Sequence, residues 1–450
     1  MTADESALPA SDIAAPVEHL QPVTVKERIS AVDILRGFAL LGILVINIEA
    51  FSLPSIVIFN PLAHGGATGL DLLIWKFDTL FCFEKMMALF SMLFGGGLIL
   101  MTARAEQINP NFKGFYYRRL MWLLVFGLIH AYLLWWGDIL VPYALCGLLL
   151  YPMRKKSPRA LIIVGICFIL FSAAIGIGGG SMMGYVRDSA TEAQKKLDAG
   201  ESISALEQSM LRSWTQVEES DMMGERAVAS EIEAFQGDLS SVHQKRVQLS
   251  SMMHLQSIPF YIAWRILGLM FVGMGLMKCG FLKGELQLRT YVIWAIVGYI
   301  IGLSIVWYGM QTNIDNNFDL IHHLTTGAPL NAIGSVFVAI ANASLVIIIY
   351  KLGWLTWLLK RLQAVGRMAF SNYIFHTLVF TTIFYAGLGF GLFAHFNRST
   401  LIWFVIGMWV FQLYISPIWL KHFRYGPLEW GWRSLTYWKR QPMRVRAEEE

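Results

Sequence analysis

The sequence predicts an all-α protein, a polytopic membrane helix bundle of about ten transmembrane helices with a helical extramembrane insertion. Composition is the first reason for this fold class. Hydrophobic residues make up 56% of the 450 residues and charged residues only 15%, whereas about 25% charged residues is usual for water-soluble domains. The second reason is that apolar runs of about 20 residues, the length that crosses a bilayer, recur along the chain.

The amino-terminal part joins a polar tail to the first apolar run. Residues 1–27 are acidic, polar and poor in large apolar side chains, so we predict a flexible cytoplasmic tail. The run that follows ends at Asn47, and Asp33 and Arg36 stand close to one helical turn apart at its start, where they can pair. A signal-anchor helix with a basic flank explains most of this pattern, but it does not explain Asn47.

The N-terminal transmembrane half is predicted at 28–178. Gly95 to Gly97 in the second span allow neighbouring helices to approach closely. The segment 69–82 carries three charges in an apolar setting, which is typical of a helix at the membrane interface or at the bundle edge. The predicted spans of this half are 34–53, 84–103, 118–136, a short fourth span ending at Pro152, and 160–178.

The second half of the chain begins with a change of composition. Residues 179–254 are rich in Ser, Glu, Gln and Lys with apolar residues at helical spacing, which predicts a helical periplasmic or extracellular insertion. A C-terminal transmembrane half is predicted at 255–422, and a cytoplasmic interfacial helix and tail at 423–450. The predicted spans of this half are 256–278, 290–310, 329–350, 367–390 and 400–420.

Basic residues in the short loops indicate the orientation. With the amino terminus inside, the loops that carry Lys278, Lys351 and Arg367 and the tail that carries Arg424 all lie on the cytoplasmic side, as the positive-inside rule requires. We therefore predict that both termini are cytoplasmic and that the lipid bilayer is the main partner of the chain.

Other features argue against several classes of function. The four cysteines lie in or beside apolar runs, without the spacing of a zinc site or a disulfide framework, so no metal is predicted. The net charge of +5 comes from residues scattered among loops, so no nucleic-acid partner is predicted. The sequence contains no phosphate-binding loop, zincin motif or nucleophile elbow, and no evident inverted repeat of the transporter kind.

Five motifs extend over most of the chain. They are D-I-L-R-G-F-A-L-L-G-I-L at 33–44, F-G-G-G-L at 94–98, G-L-I-H-A-Y-L-L-W-W-G-D-I-L at 127–140, G-R-M-A-F-S-N-Y at 366–373 and G-P-L-E-W-G-W-R at 426–433. Together they resemble the YeiB-type family of bacterial multi-pass membrane proteins, which is grouped with the heparan-alpha-glucosaminide N-acetyltransferases among transmembrane acyltransferases. The resemblance implies a location in the bacterial cytoplasmic (inner) membrane.

His130 is the first candidate for chemistry, because imidazole takes and returns a proton near neutral pH. It lies in the third predicted span, where a histidine is as often a hydrogen-bonded packing residue. Asp138 follows eight residues later, about 12 Å along a continuous helix, so a direct pair requires the chain to fold back at Gly137. Asp138 can equally serve only to cap the fourth span.

Glu84, Lys85 and Arg265 are charges predicted at or inside the membrane. Because adjacent residues face different sides of a helix, Glu84 and Lys85 cannot both be satisfied by each other. Lys85 is either an interfacial residue that extends its ammonium to water or a contact to an anionic substrate. A guanidinium at Arg265 is costly unless paired, and its predicted partner is Glu84, Asp78 or a substrate carboxylate.

Two further groups are candidates for donor binding. Asn372 and His376 are four residues apart on the ninth predicted span, where they either line a donor tunnel or hold neighbouring helices together. A group of arginines gathers at the predicted cytoplasmic surface and suits the phosphates of coenzyme A. These are Arg36, Arg118, Arg119 and Arg367. The positive-inside pattern alone also explains any one of these arginines.

The family resemblance implies an integral membrane acyltransferase. Such an enzyme would take an acetyl or other short acyl group from cytoplasmic acyl-CoA, the only cofactor predicted. It would transfer this group to a hydroxyl or amine of a small molecule, glycan or envelope component at the outer face. Asn47 matches the asparagine that closes the first-span motif of the heparan acetyltransferases, but their following catalytic histidine has no counterpart here, since His64 is farther along. We therefore predict His130 as general base, with Asn47 polarising the acyl carbonyl.

Two alternatives stay open at this stage. One is a transporter or permease for a small anionic or lipid-linked solute, with Arg265 and Lys85 as charge partners in a polar cavity. The other is a membrane scaffold whose insertion binds a partner. A homodimer is compatible with all three interpretations.

Overall fold

The structure, a computed structural model, describes residues 29–108, 112–219, 224–387 and 389–445. These ranges are helical apart from their connections and one isolated bridge between Phe423 and Arg444. The predicted all-α membrane bundle is therefore confirmed, and the chain belongs in a lipid bilayer. The predicted tail at 1–27 lies outside the described residues.

The α-helices within the described ranges are numbered in chain order. They are α1 Ser30–Ser52, α2 Gly69–Phe77, α3 Lys85–Ile108, α4 Phe112–Ile129, α5 Leu140–Leu150, α6 Pro158–Asp198, α7 Ala205–Glu219, α8 Gly224–Gln236, α9 Leu239–Met252, α10 Ala263–Lys278, α11 Leu288–Asp315, α12 Leu320–His322, α13 Ala328–Lys351, α14 Thr356–Arg367, α15 Ala369–Phe384, α16 Arg398–His422 and α17 Pro427–Tyr437.

Eight helical segments of the described residues are long and apolar enough to cross a membrane. They coincide with eight of the ten predicted spans, and shorter helices occupy the other two positions. The fourth span is α5, with 11 residues. The ninth is α15, with 16 residues, because the chain breaks at Met368 before it and becomes extended at Tyr385 after it.

Glycines allow two pairs of helices to cross in backbone contact. A Cβ atom at Gly37 of α1 would lie 2.0 Å from the carbonyl oxygen of Leu362 in α14. A Cβ atom at Gly95 of α3 would lie 2.1 Å from the carbonyl oxygen of Met270 in α10. These distances leave no room for a side chain, so small residues fix both crossings.

The predicted insertion begins as a continuation of a span and returns to the bundle. Helix α6 runs without a break for 41 residues, from the fifth predicted span into the insertion. Further along, Arg246 and Ser250 of α9 donate hydrogen bonds to the carbonyl oxygens of Leu133 (2.6 Å) and Ala131 (2.7 Å). The insertion therefore packs on the π-helical turn His130–Leu134 that follows α4.

Candidate functional site

A cavity of about 750 Å³ enters the bundle from the end at which α1 begins. Both Asp33 and Ile43 of α1 line it, and ten residues of helix correspond to a depth of about 15 Å. Its inner wall is apolar and aromatic. The residues that form this inner wall include Ile43, Phe90, Leu93, Leu123, Ile139, Leu140, Tyr143 and Tyr373.

Charged side chains surround the mouth of this cavity. They are Asp33, Arg36, Arg119, Arg367, Glu429 and Arg433. With four arginines against two carboxylates, the mouth carries an excess of positive charge. Guanidinium groups bind phosphate with paired hydrogen bonds, so this mouth suits an anionic group attached to an apolar or extended arm.

Several contacts hold charged side chains of the mouth in place. Arg36 pairs with Asp33 at 2.8 Å, and the Arg119 guanidinium stacks 3.6 Å from the centre of the Trp432 ring. Glu429 accepts hydrogen bonds from the backbone nitrogens of Phe370 (2.7 Å) and Ser371 (3.1 Å) at the start of α15. Burial raises the pKa of the Glu429 carboxyl above its usual value of 4.5, against the lowering effect of these hydrogen bonds.

The chain folds back at Gly137 and brings His130 onto Asp138. His130 Nδ1 lies 2.7 Å from Asp138 Oδ1, and both side chains are almost fully buried. Asp138 Oδ2 also accepts a hydrogen bond from the backbone nitrogen of Val141, at 2.6 Å, in the first turn of α5. Both roles considered for Asp138 are therefore met by one side chain.

Thr377 completes this cluster, and the sequence did not indicate it. Its Oγ1 lies 2.9 Å from His130 Nε2. The residue stands 247 positions from His130 on α15, and threonine in an apolar helix is ordinary, so no local pattern marks it. Hydroxyl, imidazole and carboxylate are thus aligned in one buried hydrogen-bonded series.

Two tyrosines line the inner part of the cavity beside this series. The Tyr373 ring lines the cavity and its centre is 5.2 Å from that of His130. The Tyr373 hydroxyl donates to the carbonyl oxygen of Gly137 at 3.2 Å. Across the cavity end, the Tyr143 hydroxyl lies 2.6 Å from Ser91 Oγ. Tyr373 therefore stands between the cavity and His130.

A second polar network crosses α3, α10 and α13. Lys85, with no exposed surface, donates to the carbonyl oxygen of Thr79 and to Asn331 Oδ1, each at 2.5 Å. Asn331 donates to Glu84 Oε2 at 2.7 Å, and Glu84 Oε1 pairs with Arg265 at 3.1 Å. Glu84 is thus the partner of Arg265, one of the three that the sequence allowed.

The backbone conformation at Glu84 directs the side chains of this network to their partners. Glu84 has a φ of 64°, the left-handed region that costs a non-glycine residue free energy. It separates the π-helical turn Asp78–Cys82 from α3. The break turns Glu84 towards α10 and α13 while Lys85 begins α3, so the two adjacent charges reach different partners.

The remaining candidates lie away from the cavity wall. Asn372 donates to Ser416 Oγ at 3.2 Å, and His376 Nε2 lies 2.9 Å from Gln412 Oε1, so both face α16. Asn47 is half-buried one turn beyond Ile43, and its side chain makes no hydrogen bond within the described residues.

One buried ion pair was not foreseen. Arg398, the first residue of α16, is 1% exposed and pairs with Glu49 at 3.1 Å. It also donates to the carbonyl oxygens of Gly66 (2.7 Å) and Val57 (3.1 Å). Because its donors are used on loop backbone, Arg398 anchors the connection between α1 and α2.

Comparison with known proteins finds relatives that align with nearly the whole chain and a family model that matches part of it. A family model described as "Protein of unknown function (DUF418)" matches residues 276–439. The chain is 32% identical to the "Uncharacterized protein YeiB" of Escherichia coli (strain K12) over 91% of its length and 96% of that protein. It is 30% identical to the "Uncharacterized protein YxaH" of Bacillus subtilis (strain 168) over 94% of its length and 98% of that protein. Comparison with solved structures gives no match.

Proposed function

The chain belongs to the family of YeiB-like, DUF418 membrane proteins, and from that premise we propose that it is an integral membrane acyltransferase that uses acetyl-CoA or another short acyl-CoA. The acyl group passes to a hydroxyl or amine of an acceptor at the opposite face. The cavity carries this proposal, because it runs from an arginine-rich mouth to Tyr373, whose ring packs against His130 of the buried His-Asp pair.

The mouth of the cavity supports an acyl-CoA donor. The phosphates of coenzyme A would meet Arg36, Arg119, Arg367 and Arg433, and the apolar walls would receive the pantetheine arm with its thioester leading. From the positive-inside rule we expect this end of the bundle to face the cytoplasm, where acyl-CoA is made.

The residues beside the inner end of the cavity support the proposed acyl transfer. Asp138 holds the imidazole of His130 so that Nδ1 carries the proton and Nε2 is free to accept one. A neutral Nε2 is the form of histidine that acts as general base.

Binding of acetyl-CoA to the purified protein tests this proposal. Arg36→Gln and Arg367→Gln each remove one charged phosphate contact, worth about 1.5–3 kcal/mol, so we expect each to weaken acetyl-CoA binding by roughly 10- to 100-fold. The measurement is the rise in melting temperature with acetyl-CoA concentration.

Arg159→Gln is the matched control, because Arg159 is exposed and lies outside the cavity lining. It should leave the acetyl-CoA response unchanged. No stabilisation of the unmodified protein by acetyl-CoA, or equal loss in the control, would end the acyltransferase proposal.

The second candidate, a transporter for a small anion, is favoured by one observation. The buried network of α3, α10 and α13 holds two cations, Lys85 and Arg265, with one carboxylate, Glu84. Buried charges of this kind mark substrate pathways in membranes. Counterflow uptake of a labelled anion into vesicles that lack acyl-CoA, abolished by Arg265→Gln, would favour transport over acyl transfer.

A further inference from the structure

Thr377 is positioned as a nucleophile relative to His130 and Asp138. The distances are 2.9 Å from Thr377 Oγ1 to His130 Nε2 and 2.7 Å from His130 Nδ1 to Asp138 Oδ1. A hydroxyl, a base and a carboxylate that orients the base, in this order, form the arrangement that activates serine and threonine nucleophiles.

The hydroxyl of Thr377 is used differently from those of its neighbours. Thr381 and Thr382, on the same helix, each donate to the carbonyl oxygen four residues earlier, at 2.7 Å. This is the usual way to satisfy a threonine hydroxyl in a membrane helix. Within the described residues, Thr377 Oγ1 makes its only hydrogen bond with the imidazole of His130.

Thr377 also lies near a residue that lines the inner part of the cavity. It is one helical turn beyond Tyr373, whose ring lines the cavity and packs on His130. A thioester at the inner end of the cavity is therefore separated from Thr377 Oγ1 by one aromatic ring. Attack by Thr377 Oγ1 on the carbonyl carbon therefore requires that ring to move aside.

We propose that Thr377 carries the acyl group as a covalent ester, an inference that rests on the proposed acyltransferase function. Thr377 Oγ1 attacks the thioester carbonyl while His130 Nε2 takes the hydroxyl proton. The carbon–sulfur bond breaks, and His130 returns the proton to the departing thiolate, which gives O-acyl-Thr377 and free coenzyme A. An acceptor hydroxyl or amine then attacks the ester, and His130 transfers the acceptor proton to Thr377 Oγ1.

The covalent route predicts a reaction that needs no acceptor. Because the first half-reaction is reversible, the purified full-length protein should exchange labelled coenzyme A into acetyl-CoA. We expect Thr377→Ser to keep this exchange and Thr377→Val to reduce it by roughly 100-fold or more. Both variants should retain the melting shift with acetyl-CoA.

Thr382→Val is the matched control, since its hydroxyl is back-bonded and the residue is exposed. It should exchange coenzyme A like the unmodified protein. A second readout needs no variant: acid-quenched protein incubated with acetyl-CoA should carry one acetyl group on the peptide that contains Thr377.

The outcomes separate this inference from the proposed function. A melting shift with acetyl-CoA but neither exchange nor acetylated Thr377 would overturn the covalent route and leave acyl-CoA binding intact. Undiminished exchange in Thr377→Val would also overturn it. Absence of both the melting shift and exchange would overturn the acyltransferase function itself.

Discussion

Asp138 uses its two carboxylate oxygens on two elements. One oxygen holds the imidazole of His130, and the other caps α5 through the backbone nitrogen of Val141. A single buried carboxylate thus fixes both the imidazole and the helix that forms part of the cavity wall. In the proposed acyl transfer, this geometry would orient the imidazole before substrate arrives.

Glu429 gives a prediction about pH at the residue scale. Burial raises the pKa of its carboxyl above 4.5 in the folded protein, so the folded state binds the proton more tightly than the unfolded state. The stabilisation this provides is complete below pH 4.5 and is lost as the pH rises through the raised value. Glu429→Gln removes that titration.

The expected result is a melting-temperature difference between Glu429→Gln and the unmodified protein that shifts in favour of the variant as pH rises from 4.5. Thermal unfolding in one detergent up to about pH 8 measures it. Because the other titrating groups are common to both proteins, their effects cancel. A difference that does not change with pH would show that burial of Glu429 does not govern its proton.

The sequence predicted those parts of the candidate site whose residues lie close together along the chain. The spacing of His130 and Asp138 and the glycine between them allowed the fold-back that the structure contains. Thr377 and Arg398 were not predictable, because each finds its partner more than 240 positions away and neither stands in an informative local pattern. Their roles depend on tertiary packing.

At the scale of helices, the length of the apolar runs predicted most of the membrane-spanning helices, whereas the positions of polar residues predicted little of the helix geometry. Eight long apolar runs became helices able to cross a membrane, since length and hydropathy suffice for them. The fourth and ninth spans came out short because the chain breaks beside α5 and α15. The π-helical turns at His130 and Asp78 have no sequence signature, yet the first carries the imidazole of His130 and the second supplies the carbonyl oxygen of Thr79 to Lys85.

The crossing of α1 and α14 gives a prediction at this scale. In Gly37→Ala the added Cβ atom would lie 2.0 Å from a backbone oxygen of Leu362, so the helices must separate. We expect a loss of about 1–3 kcal/mol of stability, the usual cost of overpacking, seen as a lower melting temperature in detergent.

Gly407→Ala is its control, because a Cβ atom at this position of α16 meets nothing within 4 Å. Since alanine favours helix over glycine, this variant should melt at the same temperature as the unmodified protein or higher. If the two alanine variants behave alike, the α1–α14 crossing is not as close as described.

At the scale of the whole molecule, distant parts of the chain build one cavity. Its wall draws on α1, α3, α4, α5, α14, α15 and α17, and the family match at 276–439 contains only α14, α15 and α17 of these. The insertion adds a further contact by packing on the turn that carries His130. Such an enclosure depends on pairings across hundreds of residues, which composition and periodicity do not specify.

The most direct measurement is an electron cryo-microscopy structure of the full chain with a thioether analogue of acetyl-CoA that cannot be cleaved. The account predicts phosphate density at Arg36, Arg367 and Arg433 and the acyl end beside Tyr373, within reach of His130 and Thr377. Analogue bound elsewhere, or a cavity that remains empty or filled by lipid at saturating analogue, would contradict it.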